Sequence, residues 1–268
     1  MRTAPLSSTL AFVPAPPDLA PAMLGVVVQQ AGPGHAVAVP AHALALCTVV
    51  LSTGAGPGGS AFVTGSATQG RRVEAPAGLS LSVLWRASVL PRLSGEPAST
   101  FTDQVFDAQD LFEPLPLAQW QACAADGPAG PGVLAGPVFD WARRVLASMA
   151  APRPAAARFA QALAAWRPQL GQGLPDGWGE RQWQRACRDE LGVHPGLLRR
   201  LARLHASVRA QADHPARWAE HAADAGFSDQ AHLAREYREL AGLTPSRGQG
   251  VDALRLSAQA LAPRFFGA

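Results

Sequence analysis

The chain has 268 residues, 48% of them hydrophobic, and a formal net charge of +3, so it is long enough for two modest domains. Its three cysteines are scattered without a Cys-x-x-Cys pair, which excludes a disulfide scaffold and a cysteine-rich zinc module. Prolines interrupt the apolar start, and no uninterrupted apolar run reaches membrane-spanning length. We therefore expect a cytoplasmic protein that has reduced thiols and makes no contact with a membrane.

The N-terminal part predicts a small antiparallel β domain over residues 1–115. Apolar segments at 19–30, 43–51 and 61–65 have the composition of strands, and a glycine and proline cluster at 54–59 is typical of a loop. Residues 79–85 alternate Leu, Ser, Leu, Ser, Val, Leu, Trp, which is the clearest period-two pattern in the chain.

Possible chemical sites in this β region are few. His35 and His42 could suggest a metal site, but no third ligand lies at close spacing, so we expect loop histidines and no metal or cofactor. Trp85 and Trp120 could line an effector pocket, although aromatic core packing is the favoured interpretation. No Ser/His/Asp set, paired carboxylates or phosphate loop indicates a catalytic residue, so we do not expect an enzyme.

Helices are predicted from the middle of the chain onward. A glycine- and proline-rich loop at 125–137 precedes an amphipathic helix within a connector at 138–153, and Pro154 introduces a helix that ends at Trp166. Further on, residues 197–208 predict a helix whose inner face consists of Leu197, Leu201, Leu204 and Val208. A helix of some 15 residues there would span roughly 22 Å. The apolar tail at 251–268 is expected to pack back on the body.

A helix-turn-helix pattern lies near the C-terminal end. A short helix with one apolar face is predicted at 218–223, and Gly226 allows the tight turn that follows it. Ser228 is the predicted N-cap of the second helix, with Asp229 in its first turn. In that helix Leu233, Tyr237 and Leu240 share one face, and the opposite face carries Ala231, Ala234, Arg235 and Arg238. Small residues flanked by arginines can approach a DNA groove closely.

The same pattern occurs 50 residues earlier, which predicts two related units. Trp183 corresponds to Leu233 and Cys187 to Tyr237, while Gly192 and Pro195 correspond to Gly242 and Pro245. The polar face repeats too, as Arg181, Gln184, Arg185 and Arg188. The window 167–178, however, contains two prolines and three glycines, which disfavour a helix before the turn. We therefore predict a shortened or irregular first unit, with Gly179 as a weak N-cap and Cys187 as a buried core residue.

Residues 154–249 resemble the DNA-binding domain of the AraC/XylS family of bacterial transcription regulators. The resemblance rests on the second unit: Ala-Gly-Phe, then Asp-Gln-x-His-Leu-x-Arg-x-Tyr-Arg, then Gly-Leu-Thr-Pro. It implies that DNA is contacted from the second helix-turn-helix by Ser228, Gln230, Ala231, Ala234, Arg235 and Arg238, and from the first by Arg181, Gln184 and Arg185. The β region resembles the reduced cupin-like sensor domains that precede such domains.

The sequence therefore predicts an α+β chain: an N-terminal antiparallel β domain of partial cupin-like barrel type, followed by an all-α double helix-turn-helix domain. The expected domains are 1–125 for sensing or dimerisation, 138–153 as a helical connector, 154–250 for DNA binding and 251–268 as the tail. Double-stranded DNA is the expected partner. The resemblance also allows RNA polymerase, a small-molecule effector and a second copy of the chain as further partners.

Two functions remain open at this point. In the first, the protein is a sequence-specific transcription regulator in which the second unit supplies most of the reading and the modest positive excess makes binding salt-sensitive. In the alternative, it is a degenerate family member that serves as a protein-interaction module, because its damaged first unit no longer supports specific DNA binding.

Overall fold

The computed structural model describes residues 9–51, 60–75, 77–112, 115–125, 130–166, 173–213, 226–244 and 252–266. The helix predicted at 218–223, the loop predicted at 54–59 and the first half of the window 167–178 lie outside the described residues.

The described N-terminal part is built from antiparallel strands, as the sequence predicted. In chain order they are β1 (Thr9–Pro14), β2 (Met23–Ala31), β3 (Ala36–Val39), β4 (Leu44–Leu51), β5 (Ser60–Thr64), β6 (Arg71–Glu74), β7 (Gly78–Arg86) and β8 (Val105–Asp107). The larger sheet has the order β1-β2-β7-β4-β5-β8, and β3 pairs with β6 in a second sheet. Every described ladder is antiparallel.

The central strand β7 is covered on both faces. Its alternating sequence correctly predicted a strand, but the serine side is not exposed to solvent: Ser80 is only 2% exposed. Leu81 and Val83 pack in one core, while Leu84 packs in the other. Because β7 lies between β2 and β4, it is a central strand, and helices cover both sides of the sheet.

Aromatic rings fill the core that contains Leu81 and Val83, which is called the first core below. Short helical turns follow β7 at Ala87–Val89, at α1 (Leu90–Ser94) and at Ala98–Phe101, and α2 (Leu117–Ala125) and α3 (Pro131–Ser148) come after β8. Trp141 of α3 lies with its ring centroid 5.8 Å from that of Trp85 and 5.6 Å from that of Trp120. Both Trp85 and Trp120 are thus core residues, as favoured.

The start of α3 corrects the sequence prediction. The helix begins at Pro131, inside the segment expected to be a loop up to residue 137. Proline is favourable in the first turn of a helix, and the buried side chains of Leu134 and Ala135 hold this turn against the first core. Burial against the sheet therefore outweighs the low helix propensity of Gly132 and Gly136.

The C-terminal part is helical, so the predicted α+β order is confirmed. It contains α4 (Pro154–Trp166), α5 (Glu180–Leu191), α6 (Pro195–Asp213), α7 (Gln230–Ala241), α8 (Asp252–Leu256), a π-helical stretch (Ser257–Leu261) and α9 (Ala262–Phe266). The tail packs back on the body as expected, with Phe265 only 6% exposed. None of the described helices combines the length and the apolar character that crossing a bilayer requires.

Candidate nucleic-acid interface

Helix α7 is capped by Asp229, and the predicted cap, Ser228, is therefore wrong by one residue. Asp229 has extended backbone angles, and its Oδ1 accepts a hydrogen bond of 2.6 Å from the backbone N–H of His232. This hydrogen bond is the main reason why the pKa of Asp229 is lowered. The hydroxyl of Ser228 instead contacts Nδ1 of His232 at 3.2 Å. Gly226 has a φ of 75°, as its predicted place in a tight turn requires.

The two predicted faces of α7 are confirmed. Leu233, Tyr237 and Leu240 are at most 1% exposed. On the opposite side Gln230, Ala231, Arg235 and Arg238 are exposed, and Ala234 is half-buried. Arg235 donates from Nε to the carbonyl of Ala231 at 3.3 Å, and Arg238 donates to that of Ala234 at 3.2 Å. The arginine-edged surface is thus open to a partner.

Helix α5 repeats this anatomy. Trp183, Cys187 and Leu191 face the core, and burial raises the pKa of the Cys187 thiol to about 12. Arg181, Arg185 and Arg188 are exposed, while Gln184 is half-buried and donates to Glu180 Oε1 at 3.1 Å. Gly179 is the N-cap, without a side-chain hydrogen bond.

The two helices also end in the same way. Gly192 and Gly242 are their C-caps, with φ values of 72° and 66° in the left-handed region. The predicted correspondence between the two units is therefore present at both faces and at the C-terminal turn.

The segment before α5 is irregular, as predicted. Residues 173–179 contain no helix in the described chain. Aromatic contacts hold this segment instead: the ring of Trp178 lies 5.4 Å from that of Trp183 and 6.3 Å from that of Phe159. Arg158 also donates to the carbonyl of Gly177 at 2.9 Å. The second helix of the first unit therefore packs on α4 and on an ordered loop.

Helix α6 joins the two units through contacts that the sequence did not reveal. It has 19 residues and so is about 28 Å long, which is longer than predicted. Arg200 donates to both carboxylate oxygens of Glu236, at 3.0 and 3.1 Å, and forms a 2.7 Å ion pair with Glu239. Ser207 lies 3.3 Å from the hydroxyl of Tyr237. These contacts fix the inner side of α7 on α6.

A cavity of about 310 Å³ lies between α6, the C-terminal tail and the face of the larger sheet that carries Leu84. Its lining is mainly apolar, with His42, His205 and Gln29 among the polar residues. Burial lowers the pKa of His42 to about 4 and that of His205 to about 3. His205 Nε2 lies 3.0 Å from the Ser257 hydroxyl, whereas its Nδ1 has no hydrogen-bond partner among the described residues.

The described part of the chain does not surround the histidines of the cavity with further metal ligands. Within the described ranges, no group of three or more histidine, cysteine or acidic side chains is arranged to hold a metal ion. His42 instead accepts a 3.4 Å contact from the backbone N–H of Leu44.

Comparison with known proteins supports the domain interpretation. A family model described as a helix-turn-helix domain matches residues 177–249. No curated protein matches the chain. An apo structure of a ToxT variant from Vibrio cholerae is similar over 85% of this chain and 97% of that chain, with 12% identity and a TM-score of 0.38. Another ToxT structure from Vibrio cholerae is similar over 90% of this chain and 96% of that chain, with 8% identity and a TM-score of 0.38. TM-scores this low establish no shared fold, so the interpretation rests on the family model.

Proposed function

We propose that this chain, whose residues 177–249 are a helix-turn-helix domain of AraC type, is a sequence-specific DNA-binding transcription regulator. The observation that carries this proposal is the outward face of α7, where two alanines lie beside two exposed arginines while the other face is buried. The second helix-turn-helix unit reads base edges in the major groove. This function places the protein in the cytoplasm, where duplex DNA is accessible.

The shape of α7 fits such a role. Ala231 and Ala234 have short side chains, so the helix can enter the groove closely. Arg235 and Gln230 are then within reach of base edges, and Arg238 and Ser228 are suited to the phosphates beside them. Recognition helices commonly use their N-terminal residues for base contacts. Gln230, Ala231, Ala234 and Arg235 lie in the first half of α7, whereas Ser228 precedes the helix and Arg238 lies in its second half.

Helix α5 contributes a second and weaker contact. Arg181, Gln184 and Arg185 occupy the equivalent positions, but Gly179 gives the helix no side-chain cap. The connecting helix α6 spans about 28 Å, compared with roughly 34 Å between successive turns of the major groove. We therefore assign most of the sequence reading to α7 and a smaller share of it to α5.

The N-terminal region would act as the sensor of a small effector. The cavity of about 310 Å³ supports this role, since its size and mainly apolar lining suit a small organic molecule. Its polar groups, including Gln29, His42 and His205, could fix the orientation of such a ligand. Dimerisation through the β region and contact with RNA polymerase are further roles that the resemblance implies.

The alternative is a protein-interaction module without specific DNA binding. The non-helical segment 173–179 favours it, because the first unit lacks a regular helix in the described part that precedes its turn. Under this alternative the arginines of α7 would meet an acidic protein surface, and duplexes of every sequence would bind equally weakly.

Selection from random duplexes separates the two functions. Full-length protein would select from a random-sequence DNA library, and the recovered consensus duplex would be titrated with the unmodified protein, Arg235→Ala and Arg144→Ala. Arg144 is a matched control, since it is an exposed arginine on α3, away from the helix-turn-helix units. We expect Arg235→Ala to weaken binding by about 1–3 kcal/mol and to relax specificity at one base position. Recovery of no consensus, or equal binding by both variants, would refute the proposal.

A further inference from the structure

The C-terminal end of α5 is held by the β region. The hydroxyl of Ser66 donates to the carbonyl of Leu191 at 2.6 Å, and the hydroxyl of Thr102 donates to the carbonyl of Gly192 at 2.7 Å. Ser66 follows β5, and Thr102 precedes β8, so neither is a neighbour of α5 in sequence. The last carbonyls of a helix have no partner within the helix, and here side chains of another region supply their donors.

The C-terminal end of α7 is held in the same way by backbone groups. The N–H of Gly70 donates to the carbonyl of Glu239 at 2.8 Å, and the N–H of Ala41 donates to that of Leu240 at 2.7 Å. The two helices that repeat each other in sequence therefore both end on the β region.

These donors lie on segments that are themselves fixed. His42 and Ala67 exchange two backbone hydrogen bonds of 2.9 Å, which join the segment before β4 to the loop after β5. Asp103 donates from its backbone N–H to the carbonyl of Ser66 at 2.9 Å. Its carboxylate accepts a hydrogen bond from the Thr68 N–H at 3.0 Å and forms a 3.1 Å ion pair with Arg71. The loop that supports both helices is thus ordered by its own contacts.

The backbone at Gly70 approaches the C-terminal end of α7 too closely for any side chain to fit between them. A Cβ atom at Gly70 would lie 2.4 Å from the backbone of both Ala241 and Gly242. Gly70 has no positive φ, so a substitution there would not strain its own backbone. The methyl group of alanine at this position would therefore push the loop and the end of α7 apart.

We propose that the β region is a bracket that sets the distance and orientation of the two recognition helices, with Ser66, Thr102 and Gly70 as positioning residues for DNA reading. The bracket holds the C-terminal ends of α5 and α7, while the faces that carry Arg185 and Arg235 stay exposed. The helical domain then presents both helices in one fixed arrangement, and less conformational entropy is lost on binding DNA.

This inference rests on the proposed function, since a bracket for reading DNA has a role only if DNA is read. It also explains how the first unit can work without a regular helix at 173–179. Support for α5 comes instead from the β region, where Ala98–Phe101 and Thr102 lie against its C-terminal turn.

The test measures how strictly the protein requires one spacing between its two DNA elements. The consensus duplex selected by the full-length protein would be compared with the same duplex carrying 5 base pairs, about half a helical turn, inserted between the two elements. Affinities of both duplexes would be measured for Ser66→Ala/Thr102→Val and for Gly70→Ala. Thr48→Val removes a hydroxyl that bonds within the sheet, and Gly136→Ala adds a methyl in open space, so these are the matched controls.

We expect the unmodified protein and both controls to discriminate strongly between the two duplexes. The ratio of the two affinities should fall about fivefold for each hydrogen bond removed at α5, and by at least as much for Gly70→Ala. Thr102→Ser keeps the hydroxyl and should retain the original ratio. Thermal unfolding would verify that each variant is folded.

Three results would overturn the bracket. An unchanged ratio in the folded variants would show that these contacts are merely structural, even if affinity declined for both duplexes. A selected consensus with a single element, insensitive to the insertion, would overturn the bracket while the proposed function stands. Selection of no consensus at all would remove the proposed function and the bracket with it.

Discussion

Two histidines, the buried His205 and the half-buried His42, should make the protein sensitive to mild acid. Burial lowers the pKa of His205 to about 3, with the charge of Arg209 acting in the same direction. Burial also lowers the pKa of His42 to about 4. In the unfolded chain both rings titrate near 6.5. Below that pH the unfolded state binds more protons, so stability is complete above about pH 7.5 and falls as the pH decreases through 6.5 towards the folded pKa.

The size of the effect follows from these values. At pH 5 each histidine lowers the free energy of unfolding by about 2 kcal/mol, because about 1.5 pH units lie below the unfolded pKa and each unit corresponds to 1.36 kcal/mol. The two together amount to about 4 kcal/mol, a large part of the roughly 5–15 kcal/mol typical of a folded protein. His205→Gln retains a polar partner for Ser257 but cannot gain a proton, so it should remove about half of this loss.

Urea unfolding at pH 8, 7, 6 and 5 measures this dependence. The unmodified protein, His205→Gln and His205→Gln/His42→Gln would be compared by their change in unfolding free energy from pH 8 to pH 5. The change, rather than the value at one pH, is diagnostic, because the substitutions also alter packing. The same loss in all three proteins would refute the reasoning, since the two rings would then not be responsible.

Three further predictions concern the helical region. Asp229→Ala should lower the free energy of unfolding in urea titrations, because a helix N-cap is lost, whereas Ser228→Ala should change it little, and the reverse order would contradict the assigned cap. Trp183→Ala should cost about 3–5 kcal/mol in the same assay, since the ring is fully buried among aromatic neighbours. In thiol titrations Cys123, which is partly exposed, should react in the folded protein, and Cys187 only on unfolding; equal rates would argue against the buried position of Cys187.

Local signals predicted helices α5 and α7 well. The faces of α7 follow from the spacing of Leu233, Tyr237 and Leu240, since a helical period places such residues on one side. The cap was missed by one residue because both Ser228 and Asp229 are good N-caps, and the choice depends on which backbone is extended. The pairing of Arg200 with Glu236 had no local signal, since 36 residues separate them.

The sequence by itself determined the repeated helical units, their glycine ends and the exposed arginine face, because these depend on short-range periodicity and on backbone conformations that particular residues prefer. Only the tertiary structure decided that Gly70, Ser66 and Thr102 meet the ends of α5 and α7, and that both sides of β7 are covered. Such contacts join segments far apart in the chain, and they arise when packing brings donors to unsatisfied carbonyls and apolar faces together.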